Sequence, residues 1–300
     1  MPEYAAVDLE HERLSPPLER TMDGGLTETI KRHYTVSELA TRILEALEKA
    51  GKDPSRLSVE DLAPIDEFHV RGRQATLELA QAARIKSRDT VLDVGSGIGG
   101  PARCLASQFG CQVTGLDLTE EYCRAANLLS ERVGLGHLVR FEQGDALSMA
   151  FPTESFDVVW TEHVAMNIRD KPMLYREMDR VLKPGGTLAI YDVCSGEGGP
   201  VHFPVPWARS EDASFLASPE QLRRLVNDAG FRIIDWTDTT ALAREWFVAL
   251  AERVRRDGAP LLSWGMLMGD DFLAMAQNQR RNLEEDRIAL VQLVARKQPS

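Results

Sequence analysis

The 300 residues carry 46 acidic against 35 basic side chains, a formal charge of −11, with 43% hydrophobic and 7% aromatic content. That balance suits a globular protein and argues against nucleic acid or an anionic membrane as a partner, since both call for a basic surface. The length exceeds one ordinary core, which leaves one α/β domain with large additions or two domains.

The first residues have neither a basic start nor an apolar stretch, and no run approaches the roughly 18 apolar residues of a membrane span, so a cytoplasmic protein is expected. Cys104, Cys111, Cys123 and Cys194 form no C-x-x-C pair and the six histidines are dispersed. Free thiols are expected, and no metal site. Residues 1 to about 34, with Pro16, Pro17, Gly24 and Gly25, predict an irregular arm. Thr35 and Glu38 form a T-x-x-E capping box ahead of Val36, Leu39, Ala40, Ile43, Leu44 and Leu47 at helical spacing, with Gly51 as the stop. Ser58 and Asp61 mark a second short start, and a run from about Phe68 to Ala83 predicts another helix. Residues 1–88 thus read as an N-terminal helical arm or lid, ahead of a domain over 89–300.

From Thr90 the pattern becomes strand and helix in alternation: strand 90–94, helix 100–109, strand 112–117, helix 120–133, strands 138–142 and 156–160, helix 170–182 and strand 187–192. Parallel strands with right-handed crossovers are the expected packing. Asp157 is expected to fix the entrance of the fourth strand. Residues 195–217, rich in glycine, proline and exposed-looking aromatics, predict a functional loop. Ser218, Pro219 and Gln221 open a capped helix that Gly230 ends. Strand 231–236, a helical insertion over 239–283 and a last strand in RIALVQLVARK complete the chain. Met266, Met268 and Met275 are expected to pack helices.

The chemistry concentrates in TVLDVGSGIGG, Thr90 to Gly100. Apolar strand residues end in glycines that permit positive φ and close approach of a ligand to the main chain. Gly95, Gly97 and Gly100 satisfy G-x-G-x-x-G, a weak signal that fits dinucleotides as well. Asp93, two positions before the first glycine, is unusual in a dinucleotide site, because a buried carboxylate there needs a partner. The ammonium of an aminoacyl sulfonium cofactor would be one. Asp117, ending the second strand, suits ribose hydroxyls in either cofactor. Asp145 in GDAL can reach an adenine amine.

With ESFDVVWTEH and RVLKPGGTLAIYD added, the sequence resembles the class I S-adenosylmethionine-dependent methyltransferases over about residues 88–237. Asp93 with Gly95, Gly97 and Gly99 is similar to their first motif, Asp117 to their ribose acid, Asp145 to their adenine contact, and LKPGG to the turn before their fifth strand. The resemblance implies a Rossmann-like, doubly wound seven-stranded sheet with an antiparallel last strand, formed by 231–236 and 286–296. It also implies S-adenosyl-L-methionine as cofactor, held by Asp93, Gly95, Gly97, Gly99, Asp117, Leu118, Asp145, Ala146 and Glu162. Within the small-molecule branch it is similar to sarcosine and dimethylglycine methyltransferases and to those of quinone and tocopherol biosynthesis. The acceptor expected on this basis is a small amine or methylated amino acid, with O- or C-methylation of a natural-product phenol or quinone as the alternative. A nicotinamide dehydrogenase would use the same glycines, and Asp93 and GDAL count against it.

His163, at the carboxyl edge of the sheet, is the candidate base, because its ordinary pKa is near neutrality; a structural histidine is the competing reading. Asn167 is a candidate substrate ligand or helix cap. In IDEFHVRGRQAT, His69 and its charged neighbours read as either solvated helix-start charges or a segment covering the substrate. Tyr34, His202, Phe203 and Trp207 are candidates for walling the acceptor, their aromatic faces suiting a cationic product. A homodimer is left open.

Overall fold

The computed structural model describes residues 24–34, 38–258 and 264–298. Seven strands, β1 (Thr90–Val94), β2 (Gln112–Asp117), β3 (Val139–Gln143), β4 (Phe156–Glu162), β5 (Leu182–Ser195), β6 (Phe231–Asp238) and β7 (Ile288–Lys297), form one sheet in the order β3-β2-β1-β4-β5-β7-β6. Strands β1 to β5 pair in parallel, and β7 is antiparallel to both of its neighbours. The order reverses between β1 and β4, so the crevice for a ligand lies at the carboxyl ends of those two strands.

Helices α1 (Gly24–Tyr34), α2 (Leu39–Lys49), α3 (Val59–Asp66) and α4 (Arg73–Ala83) precede the sheet. The crossovers are α5 (Gly100–Phe109), α6 (Glu120–Arg132), α7 (Lys171–Val181) and α8 (Pro219–Asp228); α9 (Thr240–Asp257), α10 (Gly265–Met268) and α11 (Phe272–Glu284) lie between β6 and β7. Apolar side chains on the two faces of the sheet make two cores, one beneath α4 and α5 and one beneath α7 and α8. A third core joins Leu39, Ile43 and Leu47 of α2 and Leu62 and Ile65 of α3 to Leu129 of α6 and Met275 of α11. The early helices and the late insertion therefore meet over the same edge of the sheet.

Local signals placed most of these elements. Ser58 and Asp61 close a reciprocal capping box on α3, and Ser218 with Gln221 closes another on α8. Asp157 accepts from Thr90 N at 3.0 Å and Thr90 Oγ1 at 2.7 Å and pairs with Lys183 at 2.9 Å, tying together the starts of β1, β4 and β5.

Five expectations are corrected. Residues 24–34 are helical rather than irregular, with Ile30 of α1 buried. Helix α4 begins at Arg73 and not near Phe68, because Arg71 and Gly72 turn the chain with φ of 70° and 49°. Helix α2 begins at Leu39 behind a left-handed Glu38 that makes no side-chain cap; Thr35 lies outside the described residues. Strand β5 starts at Leu182 rather than Thr187, its Pro184-Gly185-Gly186 segment absorbed as a register shift between Phe156 and Val158. Trp207 of the 195–217 loop is buried, its indole donating to Ser214 Oγ at 2.9 Å.

That loop is held from both sides. The ring Nε2 of His33 on α1 lies 3.0 Å from Pro206 O, which can only accept, and Asn278 of α11 donates to Pro204 O at 2.9 Å. No helix among the described residues is long and apolar enough to cross a membrane.

Candidate active site

The turn from β1 into α5 is held in a left-handed backbone at three points, with φ of 76°, 53° and 86° at Gly95, Gly97 and Gly99. The amides of Gly95 and Ser96 both donate to Leu116 O, and Gly97 N donates to Asp117 Oδ2 at 2.8 Å. Asp117 Oδ1 accepts from Thr119 N at 2.9 Å. A side chain at Gly97 would enter open space, whereas one at Gly95 would strike Val164, one at Gly99 would strike Phe141 and Arg103, and one at Gly100 would strike the carbonyl of Asp66. Gly97 is therefore the point of approach for a ligand, and the other glycines allow the chain to pack on itself.

That packing brings the N-terminal helices to the turn. Arg103 of α5 is fully buried and its guanidinium bonds the Asp66 carboxylate, Ile98 O at 2.6 Å, Ala126 O at 3.2 Å and Ser130 Oγ at 3.1 Å. The end of α3 is thereby fixed against the turn.

A cleft of about 1240 Å³, open mouth included, runs along the carboxyl edge of β1, β2 and β4. Gly95, Ser96, Gly97, Asp117, Leu118, Asp145 and Ala146 line one end, and Asp145 Oδ1 also caps its own turn by accepting from Leu147 N at 2.8 Å. Phe68, Val164, Met166, Ile168, Trp207 and Trp264 supply an apolar and aromatic remainder. Ile30 of α1 and Gln279 of α11 complete the wall. Trp264 meets Phe68 edge to face at 5.2 Å. The described lining contains the carboxyl groups of Asp66, Asp117, Asp145 and Glu162 and neither lysine nor arginine.

Behind the wall sits a set of buried ionisable groups. Asp93 Oδ2 has no hydrogen-bond partner, and burial, then Asp117 and Glu67 nearby, pushes its carboxyl up to about 8. Burial likewise raises Glu67 to about 7 and Glu162 well above the carboxylate range. It lowers His69 to about 4 and His163 well below its ordinary value, so both imidazoles are neutral at pH 7. Glu162 Oε1 and His163 Nε2 are buried without hydrogen-bond partners. His163 takes a left-handed φ of 53°, its N–H donates to Tyr191 O at 2.7 Å, and its ring lies 4.7 Å from that of Tyr191. A non-glycine residue held in this region marks a place where the surroundings over-determine the backbone.

Most residues singled out in the sequence converge here: Gly95, Gly97, Asp117, Leu118, Asp145, Ala146, Glu162, His163, His69, Asn167 and Trp207 all line the cleft. Asn167 is tied to the loop, donating to Trp207 O at 2.7 Å and Ala213 O at 2.9 Å. Asp93 and Gly99 lie behind the lining. His202 is elsewhere, its ring 2.8 Å from Glu285 and its amide bonded to Asn282 of α11. Tyr34 ends α1, and its side chain lies outside the described residues, as does that of Met266. Sequence reasoning missed Ser96, Thr119, Trp264 and Gln279 on the wall and Thr76 and Arg103 behind it. Thr76 ends IDEFHVRGRQAT and Arg103 ends GGPAR after the glycine turn, but each by itself reads as an ordinary helix residue until the tertiary structure buries it.

A family model described as a methyltransferase domain matches residues 92–190. The methyltransferase GfsG of Streptomyces halstedii is 31% identical over 187 residues, 61% of this chain and 67% of that protein. Phosphoethanolamine N-methyltransferase 1 of Zea mays is 31% identical over 169 residues, 56% of this chain, but the chain spans only 33% of that relative's length. The solved structure of Haemonchus contortus phosphoethanolamine N-methyltransferase 2 in complex with S-adenosyl-L-methionine superposes with a TM-score of 0.70 at 23% identity, covering 91% of this chain and 60% of that one, and so shares its fold. The chain belongs to the class I S-adenosylmethionine-dependent methyltransferases. Its residues fit that cofactor: a buried, unpartnered Asp93 oxygen stands behind the turn, Gly97 leaves open space, and Asp117 and Asp145 border the same end of the cleft.

Proposed function

We propose that the chain transfers a methyl group from S-adenosylmethionine to a small, largely apolar acceptor without phosphate or carboxylate, through a hydroxyl oxygen. The carrying observation is the wall itself: aromatic and aliphatic side chains, four carboxyl groups, and a neutral histidine with an unpartnered ring nitrogen. A phosphate of the kind in the maize relative's name, or the carboxylate of an amino acid, would find no lysine or arginine among the described lining residues to pair with. This departs from the methylated amino acid that the family resemblance suggests. A simple amine is the second reading, favoured by the same carboxyl groups, which would hold its ammonium form.

Asp93, Asp117 and Asp145 with the Gly97 backbone would hold the cofactor, which supplies an electrophilic methyl on a sulfonium when bound. The protein then has two tasks. Phe68, Trp207 and Trp264 enclose the acceptor and exclude water, which raises the effective concentration of its nucleophile. His163 accepts the hydroxyl proton on its unpartnered Nε2. An amine arriving neutral has no such need. Helix α1 and the described parts of the inserts over 195–217 and 239–283, which put Ile30, Trp207, Trp264 and Gln279 on the cleft wall, act as the cover that must open for exchange.

Labelled methyl transfer tests this with matched acceptors: a phenol, the same phenol bearing a carboxylate, a simple amine and phosphoethanolamine. Transfer to the uncharged phenol, with loss of at least tenfold on adding the carboxylate, is expected, as for an unpaired charge brought into a poorly solvated site. Equal or better transfer to phosphoethanolamine overturns the acceptor reading. Tight NADH binding without S-adenosylmethionine binding overturns the cofactor reading.

A further inference from the structure

Thr76, on α4, directs one hydroxyl at three partners: Glu67 Oε2 at 2.5 Å, Glu162 Oε2 at 3.1 Å and His69 Nε2 at 3.1 Å. His69 Nε2 also lies 3.1 Å from Gly72 O. A carbonyl only accepts, so this nitrogen bears a hydrogen and donates. Trp160 Nε1, which can only donate, already points at the same Glu162 oxygen from 3.1 Å. A hydroxyl has one proton to give. If Thr76 gives it to Glu67, the contact with Glu162 requires a proton on Glu162; if it gives it to Glu162, the contact with Glu67 requires one there. With both carboxyls ionised, one contact would place two bare oxygens together in a buried site, a cost that the Trp160 N–H on Glu162 offsets only in part.

We propose that Thr76 makes Glu67 and Glu162 share one proton in the ligand-free protein, and that the pair gives this proton up when a cation occupies the cleft. The second half rests on the cofactor reading above. The charged and titratable groups facing the pair are few. Asp66, Arg73 and the Cys104 thiol face Glu67; Asp93, Cys104 and Tyr191 face Glu162; and His69 Nε2 lies 3.5 Å from Glu67 Oε2 and 3.6 Å from Glu162 Oε1. His69 faces Arg71, whose guanidinium is engaged by Glu78 at 2.6 Å, and His163 faces His69. Arg103 is engaged by Asp66. The cluster thus carries an excess of carboxyl groups that either a proton or a ligand's positive charge can neutralise. Burial raises both members of the pair, and the Thr76 hydroxyl opposes the shift in each. Glu162 is the member on the cleft wall, and its Oε1 makes no hydrogen bond, with His69 Nε2 3.6 Å away.

S-adenosylmethionine carries a sulfonium charge that S-adenosylhomocysteine lacks, and both carry the ammonium. The pair therefore couples to the difference between donor and product: the donor binds with release of up to one more proton, and its affinity relative to the product rises by up to about tenfold per pH unit through the pair's titration. Thr76 is a positioning residue in this scheme.

Calorimetric titration of the full chain with each ligand, in two buffers of different ionisation enthalpy between about pH 6 and 8, counts the protons. The donor should release more than the product in the wild type and in Thr76→Ser. In Thr76→Val the pH range of the difference should shift, because the hydroxyl that ties the two carboxyls to one proton is gone. Equal proton counts for both ligands, or an unaltered Thr76→Val, overturn the proposal. Infrared titration of the ligand-free chain supplies the arm that needs no ligand. Protonated buried carboxyl absorption should persist to about neutral pH, with the share of Asp93 and Asp192 unaltered and the share of the pair changed in Glu67→Gln and in Glu162→Gln; an unchanged band in both variants overturns the shared proton. Failure of both ligands to bind removes the cofactor reading instead and leaves the infrared result to decide the shared proton.

Discussion

Asp117 uses both carboxylate oxygens on backbone amides, Gly97 on one side and Thr119 on the other, and so shapes the cleft as well as lining it. Burial raises its carboxyl, while those two amides pull it down. Asp117→Ala is expected to weaken S-adenosylmethionine binding by about 1.5–3 kcal/mol through loss of charge-assisted hydrogen bonds. Calorimetry of the variant checks this, and unchanged affinity would remove Asp117 from the cofactor site. At this scale the acids were legible because a carboxylate two residues before a glycine turn, or ending a buried strand, has few other reasons to be there. The division of labour among the glycines was not. Whether a missing Cβ faces a ligand, as at Gly97, or a neighbour's side chain, as at Gly99, depends on what the fold brings alongside.

Helix α5 is anchored at its N-terminus by an element from outside the sheet, the end of α3, through Arg103 and Asp66. Arg103→Ala would leave a buried carboxylate without its cation and is expected to destabilise the fold by about 3–5 kcal/mol, measured by urea unfolding. Gly100→Ala acts on the same contact, because its Cβ would overlap the Asp66 carbonyl. It should lower cofactor affinity while leaving the strand signature of the far-ultraviolet spectrum intact. Hydrophobic period and capping residues located α3, α8 and the strands well. They misplaced the start of α4, where Arg71 adopts a left-handed backbone that only its surroundings justify: the side chain is buried and bonded to Glu78. They also missed α1, whose Ile30 finds its burial against segments far along the chain.

Over the whole molecule, several buried acids set a net dependence on pH. Glu67 and Asp192 hold protons to about 7 and Asp93 to about 8, each chiefly because of burial. Their unfolded-state counterparts ionise near pH 4, so the folded state binds more protons above that point and stability falls as pH rises toward 8. Buried neutral His69 and His163 act in the opposite sense, but only below about pH 6.5, where unfolded histidine becomes protonated. Between about pH 6.5 and 8 the acids act alone, and the thermal midpoint of the ligand-free protein should drop. A flat or rising midpoint across that range would show that the cluster is compensated. Saturating S-adenosylmethionine should flatten the drop, because it adds positive charge beside the same acids.

The chain by itself determined the class of fold and the glycine turn with its nearby acids at one end of the cleft, because β1, its glycines and the acids at 93, 117 and 145 are local patterns with period, spacing and backbone requirements that one segment can express. Only the tertiary structure decided which aromatics wall the rest of the cleft and which buried ionisable groups meet behind it. The aromatics of the cleft come from four separated regions, and Glu67, Thr76 and Glu162 meet across 95 positions of sequence only when α4 packs on the sheet. Hydrogen-bond capacity and charge balance belong to groups that touch, and no periodicity in the sequence records which groups those are.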